Sequence, residues 1–157
     1  MAPSGYFDSP WPCEDAGPSR LQTPHNTVCL DLQPDVKLAC TSKRTQMSTM
    51  TVLGAPGEVF LLTHSVLRTY MGLATTAQVS RIDPLTLETL ECSPRLEGGP
   101  MWPGGMAVHA NGYLIVVYGR YAHKLNRQCQ PVASYALPIN EPYNSFVVLD
   151  NGLIVTK

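Results

Sequence analysis

The sequence predicts an all-β chain, and three features of its 157 residues lead to that prediction. Charged residues make up only 15% and hydrophobic residues 44%, so the chain can bury a core and is not disordered by charge. It contains 12 glycines and 14 prolines, a load that favours short strands and tight turns over long helices. In its second half, β-branched and aromatic runs alternate with turn residues, and the pattern returns after 40 residues.

Four short antiparallel strands are predicted between residues 105 and 137. The pair Asn111-Gly112 favours a type I′ hairpin turn, and Gly119-Arg120 marks a second turn. The predicted strands are 106–110, 113–118, 121–125 and 132–137. Four strands joined by tight turns form one blade of a β-propeller.

The same pattern restarts at residue 145. Residues 145–155 match residues 105–115 in type at each position, and Gly152 follows Gly112 by 40 residues. This spacing lies within the range of ~40–50 residues that is typical of blade repeats. The sequence therefore predicts a further half-blade at the end of the chain.

A weaker copy of the pattern lies upstream. Its predicted strands are 50–53, 58–63, 79–82 and 87–90. An insertion at 65–77 interrupts this copy and suits a short helix. Residues 36–157 are thus predicted to form a partial β-propeller of about two four-stranded blades plus half of a third. Because a closed propeller has at least four blades, we expect a truncated chain, a short isoform or a relic of a longer gene, the alternative being a fragment that self-associates through open sheet edges.

The beginning of the chain is rich in proline. Residues 1–35 contain six prolines, at positions 3, 10, 12, 18, 24 and 34. Proline fixes φ and removes a backbone donor, so we predict an extended or disordered lead-in. Residues 1–25 are expected to pack poorly, and burial of Phe7 and Trp11 in a paired strand would contradict this.

One segment resembles a known family. Residues 103–116, which read PGGMAVHANGYLIV, resemble the blade signature of six-bladed propellers in the SMP-30, gluconolactonase and strictosidine-synthase-like group. The resemblance covers about residues 99–157 and implies the fold. In metal-dependent members, oxygens at these blade starts hold a divalent cation, often calcium. The resemblance implies Asn144 as a ligand, although Gly104 stands where the family has an aspartate. Asn144 is alternatively a turn residue.

Two other residues are candidate ligand contacts. Trp102 lies between two glycine-rich segments, where it either fills the core at an inter-blade crossover or stacks on a ligand at the channel mouth. His109 precedes the hairpin turn, where a lone histidine is more typical of a hydrogen-bonded structural residue than of a base. No catalytic residue is predicted, because the motifs of serine hydrolases, phosphate loops, dinucleotide-binding folds and zinc proteases are missing from the sequence.

The five cysteines are irregularly spaced and do not match a zinc site. We predict separate thiols, the alternative being a disulfide between two of Cys13, Cys29 and Cys40. The net charge is −1 without a basic stripe, so nucleic acid is not an expected partner. Apolar runs are too short to span a bilayer, and a signal sequence is not visible, so we expect a cytoplasmic protein without membrane contact.

Three functions fit the sequence. The first is a non-catalytic propeller fragment that binds a ligand or protein. The alternative is part of a metal-dependent lactonase- or esterase-like hydrolase that missing blades complete, with calcium present only in that longer form. The third is a degraded isoform without activity. We expect the chain alone to need no cofactor, to hydrolyse neither lactones nor esters and to bind calcium at most weakly, since Asn144 would be a neutral ligand.

Overall fold

A computed structural model describes residues 5–17, 19–23, 34–35, 37, 39–45, 47–143 and 145–157. This part of the chain is all-β, with one short α-helix, α1 (Val66–Tyr70), and a three-residue 3-10 helix at Glu14–Ala16. The strands are β1 (Met47–Leu53), β2 (Val59–His64), β3 (Thr75–Ile82), β4 (Thr89–Cys92), β5 (Leu96–Gly99), β6 (Gly105–Val108), β7 (Leu114–Tyr118), β8 (Tyr121–Leu125), β9 (Pro131–Ala136), β10 (Phe146–Val148) and β11 (Ile154–Thr156).

The strands form three antiparallel sheets in chain order. The first sheet has the order β1-β2-β3-β4, with β5 also on β3; the second has the order β6-β7-β8-β9; the third contains β10 and β11. The predicted all-β class, the meander at 105–137 and the short helix in the 65–77 insertion are confirmed. A closed barrel does not form in the described part of the chain, which is a partial propeller-like fold.

Strand β5 was not predicted, and it makes the first sheet five-stranded. It continues along the edge of β3 where β4 stops, and it includes Gly98 and Gly99, which the sequence suggested were part of a crossover loop. Pro94 lacks an N–H and interrupts the ladder between β4 and β5. Ser93 bridges this break, because its backbone N–H donates to the Val79 carbonyl (2.8 Å) and its hydroxyl accepts from the Val79 N–H (3.0 Å).

The main core lies between the first and second sheets. On the first sheet, alternate residues face inward, and on the second sheet both faces of β6 and β7 are buried. The cluster comprises Val52, Phe60, Leu62, Ala77, Val79 and Leu96 from the first sheet, with Met106, Val108, Leu114, Val116, Tyr118, Leu125 and Cys129 from the second sheet and its β8–β9 turn. The second sheet is therefore the middle layer, and β9 at its outer edge is exposed along its whole length.

The hairpin turns show the repeat at the level of individual hydrogen bonds. The His109 N–H donates to the Tyr113 carbonyl and the Gly112 N–H donates to the His109 carbonyl, each at 2.8 Å, and both bonds recur 40 residues later at the same length. Gly112 and Gly152 have φ values of +84° and +81°. Asn111 does not have positive φ, so the predicted type I′ turn is wrong. The geometry is a type I turn followed by a left-handed glycine.

Residues 5–17, which we call the N-terminal strap, pack against all three sheets. The Leu53 N–H donates to the Trp11 carbonyl, the Phe7 N–H donates to the Val108 carbonyl, and the Val148 N–H donates to the Tyr6 hydroxyl, at 2.8–2.9 Å. Phe7 and Trp11 are only partly buried and lie in no paired strand, but Tyr6, Cys13 and Ala16 are buried, so the expectation of poor packing is wrong for this segment. Its prolines exclude a long ladder, yet isolated bridges and buried side chains fix it in place. Residues 1–4, 18 and 24–33 of the expected lead-in lie outside the described residues.

Candidate functional site

Trp102 lies in the loop between β5 and β6 and is 48% exposed. The interpretation that it fills core is therefore wrong, because the short crossover leaves its indole at the surface. Met101 beside it is also exposed. Ligand stacking by Trp102 stays a prediction.

His109 lies at the other end of β6 from Trp102, so the structure does not bring these two candidates together. The Asn111 N–H donates to His109 Nδ1 at 3.2 Å, and Nε2 lies 3.1 Å from the Gly152 carbonyl oxygen. Since Nδ1 accepts, Nε2 carries the proton and donates. The two nitrogens thus link the turns of the second and third sheets, and ligand contact by His109 stays a prediction.

Asn144 lies outside the described residues, so its role as a metal ligand or a turn residue stays a prediction. Gly104, where the resembled family has an aspartate, has φ +70°, and a Cβ there would lie 2.5 Å from the Val117 carbonyl oxygen. A side chain is therefore excluded at this position by the backbone of β7. Within the described ranges, no three His, Cys, Asp or Glu side chains cluster to hold a metal ion.

The free edge of β6 is occupied by the strap. Besides the Phe7 bond, the Val108 N–H donates to the Pro12 carbonyl at 2.7 Å and the Ala110 N–H donates to the Gly5 carbonyl at 2.9 Å. Tyr6 is buried here, and that burial raises its pKa to about 12. An extended ligand cannot pair with this edge unless the strap leaves it.

Two buried histidines differ in whether their ring nitrogens form hydrogen bonds. His123 has both nitrogens bonded, to the Ser134 hydroxyl at 2.8 Å and the Glu97 carbonyl at 2.7 Å. His64 is 2% exposed, its ring lies 5.8 Å from that of Tyr118, and neither of its nitrogens has a hydrogen-bond partner in the described structure. Burial lowers the pKa of both histidines, so both are neutral near pH 7.

The cysteines are free thiols where the structure describes them, at positions 13, 40, 92 and 129, as predicted; Cys29 lies outside the described residues. Burial raises the pKa of Cys13 to about 11 and that of Cys129 to about 12. Both thiols therefore stay protonated at neutral pH and are poor nucleophiles.

A concave surface lies on the outer face of the first sheet. This surface, which we call the outer groove, encloses about 500 Å³ between the segment 43–45 and the strands β1 to β4. Its lining comprises Lys43, Arg44, Thr45, Ser48, Leu61, Thr63, Gln78, Ser80, Ile82, Leu87 and Thr89. The floor is built from the outward residues of β2 and β3, because the inward residues of the same strands fill the core.

The electrostatics of the outer groove are one-sided. Lys43 and Arg44 lie at its rim, and among the described residues its lining contains neither Asp nor Glu. The Lys43 ammonium donates to the Leu87 carbonyl at 3.1 Å, which ties the segment to the β3–β4 turn. The arrangement can bind and orient a polar molecule.

The sequence reasoning missed the outer groove. Its lining is gathered from segments up to 46 positions apart, from Lys43 to Thr89, and it has no local motif. Period-two alternation in β2 and β3 was the available signal, since it shows which residues face away from the core. The described residues contain no helix of the length and apolarity that a bilayer crossing requires. Comparisons with family models, curated proteins and solved structures gave no significant match.

Proposed function

We propose that this chain is a non-catalytic binding module and that the outer groove is its ligand site. The observation that carries the proposal is the groove itself. Its volume of about 500 Å³ falls within the ~300–1,000 Å³ typical of small-molecule sites. The resemblance of residues 99–157 to propeller blades supports a binding scaffold, since such sheets present rigid surfaces.

The polarity of the groove floor favours a ligand over another sheet. The faces that meet between the first and second sheets are apolar, with Phe60, Leu62 and Val79 fully buried. The opposite face of the same strands instead presents Thr63 and Ser80 among other hydroxyl and amide groups. Burying such groups against a second sheet would cost free energy unless each found a hydrogen bond. A small polar molecule can provide those bonds.

The composition of the lining supports binding rather than hydrolysis. Hydroxyl, amide and cationic groups line the outer groove, whereas general bases and metal ligands are most often imidazole or carboxylate groups, which the described lining does not contain. The hydrolase alternative therefore depends on the longer propeller that the resemblance implies. We also propose that the chain can self-associate, because the edge strand β9 is exposed along its length and can pair with a second chain.

A fragment screen by NMR tests the proposed site. We expect ¹⁵N-labelled protein to show chemical-shift changes from polar fragments that cluster at Ser48, Thr63 and Ser80. Ser80→Phe places a large ring on the groove floor and should abolish these changes. Val132→Phe, at an exposed position of β9, is the matched control and should leave them intact. Shifts that map instead to the loop around Trp102, or an absence of binding fragments, would contradict the proposed site.

A further inference from the structure

We infer that the outer groove selects small organic anions, whose carboxylate or phosphate group is held by Lys43 and Arg44. This inference rests on the proposed binding function and adds the charge of the ligand. It starts from the contrast between two cations at the rim and a lining in which the residues that the structure describes include no acidic side chain.

Lys43 is held in position but keeps donors to spare. Its ammonium uses one contact, to the Leu87 carbonyl oxygen at 3.1 Å. An ammonium has three N–H donors, so two remain for a ligand. The contact joins residues 44 positions apart in the chain and fixes the charge beside the groove rather than leaving it free in solvent.

Arg44 is distinguished from most arginines of this protein. Five others donate to protein oxygens: Arg20, Arg68, Arg81, Arg120 and Arg127. Within the described ranges, the exposed Arg44 has no such contact, although it lines the groove. A guanidinium can bind a carboxylate or phosphate through two parallel N–H···O bonds, so it suits either anion.

Two acidic residues, Asp83 and Glu88, lie in the adjacent β3–β4 turn, and among the described residues neither forms an ion pair with Lys43 or Arg44. The Asp83 carboxylate accepts the backbone N–H groups of Leu85 and Thr86, each at 2.8 Å. Those bonds hold the pKa of Asp83 below its usual value and keep its charge within the turn. Neither carboxylate lines the groove, so the charged side chains of the described lining are Lys43 and Arg44.

The body of the ligand is constrained by the floor. Ser48, Ser80 and Thr89 offer hydroxyl groups, while Leu61 and Ile82 offer apolar contacts. A compact molecule with one anionic group and a flat apolar part matches this lining. Carboxylates and phosphates share that chemistry, and a titration can separate them.

Three probes of similar shape test the inference: benzoate, phenyl phosphate and neutral benzamide. NMR titration of the full chain in low salt should show at least one anion binding about tenfold more tightly than benzamide, equivalent to ~1.4 kcal/mol. Added sodium chloride should weaken the anions and leave benzamide unchanged. Whichever anion binds more tightly identifies the group, and tighter binding of either one supports the inference.

The double variant Lys43→Gln/Arg44→Gln should lose the tenfold preference while its spectrum stays folded. The control variant Lys124→Gln/Lys157→Gln removes the same amount of charge from the second and third sheets, and it should keep the tenfold preference for the anion. Equal binding of benzamide and both anions at the groove would overturn the charge selectivity but leave the binding function standing. Failure of every probe and every fragment to reach the groove would overturn both. A preference that survives in the Lys43/Arg44 variant would also refute the inference.

Discussion

Replacing Tyr6 by Phe tests whether the strap is an integral part of the fold. The Val148 N–H donates to the Tyr6 hydroxyl at 2.8 Å in a buried setting. Tyr6→Phe leaves that buried donor without its acceptor, which costs about 1–3 kcal/mol. For a domain of this size, each kcal/mol lowers the melting temperature by roughly 2–4 °C, so we expect a decrease of about 2–12 °C.

The assay is urea unfolding followed by circular dichroism, with thermal melting as a second readout. Tyr135→Phe is the matched control, because Tyr135 is 66% exposed and the same change should alter the unfolding free energy by less than about 0.5 kcal/mol. If Tyr6→Phe is as silent as its control, the strap does not stabilise the fold. A fall in urea midpoint with an unchanged m-value would instead show lost stability in an otherwise intact transition.

Two further predictions concern stability. Burial lowers the pKa of His64 and His123 below 6.5 in the folded chain, so the unfolded chain binds protons first as the pH falls. The contribution of both residues to stability should therefore be complete above about pH 6.5 and decrease below it. His64→Leu should make the urea midpoint depend less on pH. A Cβ on Gly98 would lie 2.5 Å from the Tyr118 ring, so Gly98→Ala should lower the free energy of unfolding in urea by about 1–3 kcal/mol. Gly112→Ala adds no contact and should cost only its backbone strain of about 1–2 kcal/mol. If Gly98→Ala is as silent as a neutral surface substitution, the close contact with Tyr118 relaxes.

The fold could be predicted wherever the strand pattern and the turn residues of one segment favour the same structure. Period-two patterning and turn glycines located the second sheet, because each strand is short and ends at a residue suited to a turn. Strand β5 was missed since Gly98 and Gly99 read as loop residues. They are in a strand because Gly98 must lie against Tyr118, a contact between sheets that one segment cannot reveal.

The strap was mispredicted for a related reason. Proline density correctly excludes a long ladder, but it says nothing about single bonds to distant residues. Tyr6 and Cys13 are buried by β6 and Val148, which lie about a hundred residues or more along the chain. The candidate site was missed in the same way, since the outer groove exists only after β1 to β4 have aligned.

The contact between Tyr6 and Val148 also constrains the order of events during synthesis. The two residues are 142 positions apart, so the strap leaves the ribosome long before its last binding surface exists. At about 5–20 residues per second, translation across that interval takes roughly 7–30 s. Through most of that time β6, whose free edge binds the strap, has not yet been synthesised, or the third sheet that helps to hold the strap is still missing. A nascent chain is thus exposed to strand pairing with its neighbours for seconds, and chaperone binding to residues 5–17 would shorten or prolong that window.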